Sequence, residues 1–398
     1  MVRRNLRARI SVGAASILSL AVLSVGVAPN AAAVPSATIT PVIGGLASPR
    51  GIAFDGKGGM YVAESGVAGD GDVGMTTTGK VDKFAWGQTT PSWSTSFNSI
   101  YAKEDPNAPP DVLGPEGLSA MGNGCTRRSN GQRNGCQVLM ITSLSTPGAF
   151  NETGGVVNDP QAGHLFRLDA ASGAATSKSD VGTQMYNFTT AHQDLFPDDF
   201  PDSNPYGVLV TTDPHTDAIR TFVADAAANT INEIAADGTV RVVSYIPNET
   251  APPFRDATPT CIAAGPDGFL YVGTLNFVAN LFFPGGGGFS NVWRVDPNAS
   301  FPTAPTLWAS GLTTLTSCTF DSAGNFWGTE MFAGGLDAPA PGDIVRIPFA
   351  DPTHQDRFGF GQLPVPGGIA QGPDGAMYVT VGSAAPGVSG GVMRVSVS

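Results

Sequence analysis

One phrase recurs along the chain and leaves few folds open: a Pro, one variable residue, a small residue, an apolar run, a Gly-rich turn and an alternating apolar strand. It reads SPRGIAFDGKGGMYVAESG from Ser48, GPEGLSAMG followed by QVLMITSLS from Gly114, and NPYGVLVTTDP followed by TFVADAAANTINEI from Asn204. It returns as TPTCIAAGPDGFLYVGT from Thr258, LTSCTFDSAGNFWGTE from Leu315 (without the Pro) and VPGGIAQGPDGAMYVTVG from Val365, six copies in all. Each copy leads into a third strand, such as GKVDKF at 79, SNVWRVDP at 290 or GVMRVSVS at 391, and most into a fourth, such as VRVVSYI at 240. Four short strands per copy, joined by Asp-Gly and Gly-Asp turns, is the pattern of a propeller blade.

The expected fold is therefore all-β: a single six-bladed β-propeller with four-stranded blades. The sixth copy runs out after its third strand, whereas ATITPVIGGL, residues 37–46, is a strand with no preceding three of its own. Pairing the two ends closes the ring and removes an exposed edge. The domain reading is residues 1–33 as a signal peptide and 34–398 as the propeller. Its blades run approximately over 47–110, 111–182, 203–250, 257–311, 312–364, and 365–398 plus 37–46.

Composition agrees. Of 398 residues, 51 are Gly and 32 Pro, so turns are frequent and long helices are not expected. Hydrophobic residues at 41% with only 14% charged exclude a disordered chain or a coiled coil.

Arg3, Arg4, Arg7 and Arg9 precede an apolar run from Ile10 to Val27 that ends near Ala31-Ala32-Ala33, so export with cleavage at Ala33 is expected. Ser and Gly residues interrupt the run, which argues against a membrane anchor. The general secretory route is favoured over a weak twin-arginine signal at Arg3-Arg4. The whole chain carries a net charge of −12, and loss of those four arginines makes it more negative still. Such a surface repels phosphate backbones and anionic membranes, so neither nucleic acid nor membrane is an expected partner of the mature form. A small molecule or a protein is, and the chain is expected to be monomeric.

The four cysteines suit an oxidising compartment. Cys125 and Cys136 flank a polar insertion and read as a staple at its base. Cys261 and Cys318 fall near the same repeat position but one residue out of register. Export favours a bridge between them; the offset, which turns a strand side chain to the other face, favours two separately buried thiols. Both readings stand.

SPRGIAFDGKGGMYVAESG, then DSNPYG at 202–207, VADAAANTI at 223, GPDGFLYVGTL at 265, SNVWRVDP at 290 and GPDGAMYV at 372 resemble the ScyD/ScyE-type secreted β-propellers, distantly like NHL and gluconolactonase-type propellers. The resemblance covers roughly residues 38–398. It implies fold, bacterial origin and export, and little chemistry. Ala226 to Ala228 stand where that family usually has a glycine, and the Cys-flanked loop is not one of its features.

Enzymatic propellers place working groups where the inner strands begin, around the channel. Here those positions hold Arg50, Glu116, Tyr206, Thr260, Thr316 and Gly367, and the first five are the candidate ligand-binding residues. One carboxylate is too few for a gluconolactonase-like calcium centre. None of His164, His192, His215 and His354 falls at an inner-strand start. The GxSxG elbow, P-loop, HExxH and helix-leading GxGxxG motifs are missing too. Asp70 with Asp72, and Asp194, Asp198, Asp199 and Asp202, suggest calcium weakly, since neither group has the spacing of a calcium loop. No catalytic residue, metal ligand or cofactor is therefore assigned. Glu64, Glu330 and Asp225, at the ends of second strands, read as scaffold carboxylates that accept bonds from the neighbouring blade's backbone. The expected function is a secreted binding or scaffold propeller. Alternatives are a small-molecule hydrolase, lyase or oxidoreductase with its site at the channel, and a structural partner in a cell-surface complex.

Overall fold

In the computed structural model, which describes residues 36–103, 110–121, 137–196, 201–213, 215–249, 254–283, 287–333, 342–384 and 389–397, the chain forms six antiparallel sheets. Their innermost strands are Pro49–Phe54, Pro115–Ala120, Pro205–Thr212, Pro259–Ala264, Leu315–Phe320 and Ile369–Gln371. Each lies beside the next, and the sixth beside the first, so the sheets form a closed six-bladed propeller. Ala33, Cys125 and Cys136 lie outside the described residues.

The ring closes as the repeat implies. Ala37–Leu46 is the outer strand of the last blade, antiparallel to Gly390–Val397, with Ala37 opposite Val397 and Leu46 opposite Gly390. The first blade has five strands rather than four: Asp111–Leu113 adds to its outer edge beside Pro91–Ala102, so this blade runs past the boundary at 110. Among the described residues three α-helices interrupt the strands, at Thr146–Glu152, Val181–Ala191 and Phe277–Phe282. The longest is capped by the Asp180 carboxylate, which accepts from the Thr183 N–H at 2.8 Å, and it buries Val181 and Met185 against blades two and three.

Second strands such as Leu270–Thr274 and Met377–Val381 are buried along their whole length, because neighbouring blades cover both faces. Outer strands such as Pro91–Ala102 begin by alternating half-buried with exposed residues. Each of the six seams between blades holds its own hydrophobic cluster. The small residue of the repeated phrase marks where inner strands approach. A Cβ on Gly207 would lie 2.7 Å from the Thr260 carbonyl oxygen, and one on Gly51 would run into that of Glu116.

Two copies carry a side chain at this small position, and both use it to reach the next blade. Ser317 accepts from the Ile369 N–H at 3.3 Å. Cys261 is bonded to Cys318, with Cα atoms 5.5 Å apart. The pairing depends on the one-residue offset. Cys261 stands opposite Gly273 and Cys318 opposite Gly328, one place further along its own blade. Facing sheets present opposite faces to one another, so residues of opposite parity meet across a seam.

Glu64, Glu330 and Asp225 bond not to the neighbouring blade's backbone, as expected, but to the segments that lead into their own inner strands. They accept from the N–H of Ala47 at 2.6 Å, of Thr313 at 2.5 Å and of Asn204 at 2.8 Å. The residue just before the Pro, or before Leu315 in the fifth copy, takes positive φ at Ser48, Thr258, Thr314 and Val365, a conformation costly for β-branched side chains. The carboxylate bonds fix the start of the inner strands of blades one, three and five at the axis, where Arg50, Tyr206 and Thr316 stand.

Candidate ligand channel

A channel of about 380 Å³ runs along the axis, lined by the inner strands of all six blades. Arg50, Glu116, Tyr206, Thr260, Thr316 and Gly367 gather at the end where those strands begin. Phe54, Ala120, Val210, Ala264 and Phe320 line the opposite end, which is mostly apolar.

The polar end divides into two groups. Thr260 donates to the Leu315 carbonyl at 2.6 Å, and Thr316 to the Pro366 carbonyl at 3.1 Å. Thr380 does the same for the Arg50 carbonyl at 2.9 Å, closing the series from blade six to blade one. These hydroxyls tie blade four to five, five to six and six to one.

Arg50, Glu116 and Tyr206 form the second group, all buried. The Arg50 Nη1 lies 3.6 Å from Glu116 Oε2 and donates to the Tyr206 hydroxyl at 3.4 Å; its Nη2 donates to the Val112 carbonyl at 3.2 Å. Ser65 donates to Glu116 Oε1 at 3.3 Å. Two polar atoms remain without a hydrogen-bond partner among the described residues, Arg50 Nε and Glu116 Oε2.

Burial dominates the electrostatics. It pushes Glu116 up to about 7, against the pull of Arg50 and of the Ser65 and Ser143 hydroxyls. It opposes the charge on Arg50, yet Glu116 and the Tyr206 hydroxyl outweigh it and hold that guanidinium above its ordinary value. Tyr206 is pushed up to about 12, by burial first and then by the Glu116 charge. At neutral pH, then, Arg50 is charged, Tyr206 is protonated and Glu116 exchanges a proton with little cost.

Sequence reasoning found the inner-strand residues but not Ser65, Ser143 and Val112, which support them. Ser65 directly follows the scaffold carboxylate Glu64, a repeat position that could have signalled it. The acidic loops do other work: Asp72 pairs with Lys103 at 3.0 Å, and Asp194 sits in the 3-10 turn Gln193–Leu195. Asp198 and Asp199 lie outside the described residues. Asp202 accepts from its neighbour Ser203, as a turn former does, whereas Asn204 reaches across to the Leu144 N–H at 3.0 Å. Among the described residues, no group of three or more His, Cys, Asp or Glu side chains could hold a metal ion.

The chain matches no protein-family model and no curated protein by sequence. Its fold is similar to that of solved enzymes. One glucose dehydrogenase structure covers 91% of this chain and 100% of its own, at 12% identity and a TM-score of 0.51. A second covers the same shares at 13% identity and 0.50. Virginiamycin B lyase from Staphylococcus aureus is similar over 87% of this chain and 81% of its own, at 16% identity and 0.41. At these identities the likeness shows the propeller fold alone.

Proposed function

We propose that this chain is an exported, ScyD/ScyE-type propeller that binds a small, neutral, hydroxylated molecule at the polar end of its channel. The observation that carries the reading is the pair of unpartnered buried atoms, because buried polar groups without partners are rare and costly. Glu116 Oε2 requires a donor and Arg50 Nε an acceptor, and one alcohol hydroxyl supplies both. At neutral pH Glu116 offsets part of the Arg50 charge, so the pair carries less than one net positive charge, which suits a neutral ligand rather than a cation. The Cys261–Cys318 bridge supports export, since such bonds persist in oxidising compartments.

Isothermal titration of the protein against a panel of small polyols and sugars tests this. At least one should bind saturably and at least tenfold more weakly to Glu116→Gln and Arg50→Met. A panel without saturable binding, or with affinities indifferent to both substitutions, would sink the reading. The enzymatic alternative draws on one observation, that Glu116 is held near 7, the range of a general acid or base. Turnover of a bound polyol, with a pH profile breaking near 7 that vanishes in Glu116→Gln, would favour it.

A further inference from the structure

Three blades carry a tyrosine at the same place in the second strand: Tyr61, Tyr271 and Tyr378. Each donates its hydroxyl to the Asp of an adjoining turn, Asp55 at 2.9 Å, Asp267 at 3.1 Å and Asp374 at 3.3 Å. In blades one and four, an indole from the outer strand packs on that tyrosine. Trp93 stands 5.8 Å from Tyr61 and Trp308 5.0 Å from Tyr271, centroid to centroid. Among the described residues no outer-strand indole packs on Tyr378; the indole against it, Trp86 at 5.7 Å, directly follows the third strand of blade one.

Strand register identifies what stands there instead. Trp308 is the extra residue of a bulge, between Leu307, opposite Trp293, and Ala309, opposite Val292. Val42 is the extra residue of the corresponding bulge, between Pro41, opposite Met393, and Ile43, opposite Val392. The two frames correspond because Arg294 stands opposite Tyr271 as Arg394 stands opposite Tyr378. The rest of the seat is kept. Phe320, Phe326 and Phe349 surround Trp308, and the same register places Phe54, Met60 and Trp86 around Val42.

Replacing an indole by a valine leaves room, and the room is present. Val42, Met60, Trp86 and Tyr378 wall a cavity of about 260 Å³ at the seam between blades six and one. An apolar cavity of about 150 Å³ is enough to take up benzene. Trp86 is 43% exposed at the mouth. The rim is polar, with Gln88 and the Asp374–Arg394 pair, whose atoms are 2.6 Å apart, offering both signs of charge to a ring substituent.

We propose that this cavity is a second binding site, for a small planar aromatic molecule of indole size, seated where blade four keeps its own Trp308. Edge-to-face contact with Tyr378 and burial of the ring supply the attraction, as they do for Trp308 on Tyr271. The site lies on the closure seam, so its occupant touches both the N-terminal strand and blade one. It is independent of the channel and stands whether or not a polyol binds there.

The test uses indole itself, titrated calorimetrically into the full protein. Wild type should bind it saturably at one site, and its melting temperature should rise with indole. Val42→Trp, which refills the seat, should raise the melting temperature of the free protein and weaken indole binding at least tenfold. Trp86→Ala, which removes a wall, should weaken binding by a similar factor and covers the case in which Val42→Trp does not fold. Failure of folded wild type to bind indole saturably would overturn the site, as would unchanged affinity in whichever of the two variants folds.

Discussion

Arg50 illustrates how a single buried cation governs its surroundings. Its charge lowers the pKa of Glu116, which burial alone would drive above about 7. Removing it in Arg50→Met raises that pKa further in the folded state only. A carboxylate whose folded pKa exceeds its unfolded one contributes stability that is complete below the unfolded pKa and lost as pH rises through the folded one. The substitution should therefore cost about 3 kcal/mol or more at pH 8, where a carboxylate would be buried without its cation, and less than half of that at pH 5. Urea unfolding at the two pH values measures the difference; an equal loss at both would show that Glu116 does not depend on Arg50. The five channel residues could be read from the sequence because the Pro of four copies, and Leu315 in its place in the fifth, marks the position before them. Their separation into ligand-facing and strand-joining groups could not, because the acceptors of Thr260 and Thr316 are carbonyls of the following copy, some fifty residues away.

Blade-to-blade attachment is the element-scale theme, and it uses a hydroxyl, a backbone approach and one covalent bond in turn. Thr316→Val keeps the shape but leaves the Pro366 carbonyl without this donor, which should cost about 1–2 kcal/mol by chemical denaturation while leaving polyol affinity within twofold. A larger change in affinity than in stability would place Thr316 in the ligand site after all. The bridge between blades four and five closes a separation of 57 residues, which loop-closure entropy values at up to about 4 kcal/mol. Replacing both Cys261 and Cys318 with Ser should lower stability by an amount approaching that, and hydrogen exchange should rise first in Pro259–Ala264 and Leu315–Phe320. Exchange that rises uniformly across the ring would contradict a local role. Repeat alignment alone leaves this bridge undecided: a frame offset separates side chains within one sheet, yet brings them together between two sheets that face each other. Asp111–Leu113 escaped notice for a different reason. Three residues beside a loop carry too little periodicity to announce a strand.

For the molecule as a whole, ionisation and closure set the stability. Glu116 and Glu64 are raised to about 7 and Asp343 to about 8, burial being the first cause in each. All three favour folding at low pH and lose that contribution as pH climbs from about 5 to 8. Asp169, Asp213, Asp237, Asp351 and Asp374 are lowered, most by local hydrogen bonds, and lose theirs as pH falls below about 4. The melting temperature should accordingly peak near pH 5 and decline toward pH 8; a maximum at or above pH 8 would be inconsistent with the buried acids. Closure is tested by deleting residues 1–46, which exposes the edge of Gly390–Val397 and should cause aggregation or abolish the cooperative transition. A truncated protein that melts like the full propeller would show that the clasp contributes nothing. The six-fold plan was readable from the recurring phrase, and the clasp from a count of leftover strands. The indole-sized vacancy was not, since it appears only when two bulges are laid on one register.

That clasp also sets an order of events in time. Ala37–Leu46 pairs with a strand about 350 residues further along, so during synthesis it must wait for nearly all of the chain to follow. At roughly 5–20 residues per second the wait is on the order of twenty to seventy seconds, far longer than a hairpin needs to form. Each of the other five blades is complete as soon as its own strands have emerged. The last joint of the ring is thus made by the first strand of the propeller, and until its partner follows the propeller is an open arc with that strand unpaired.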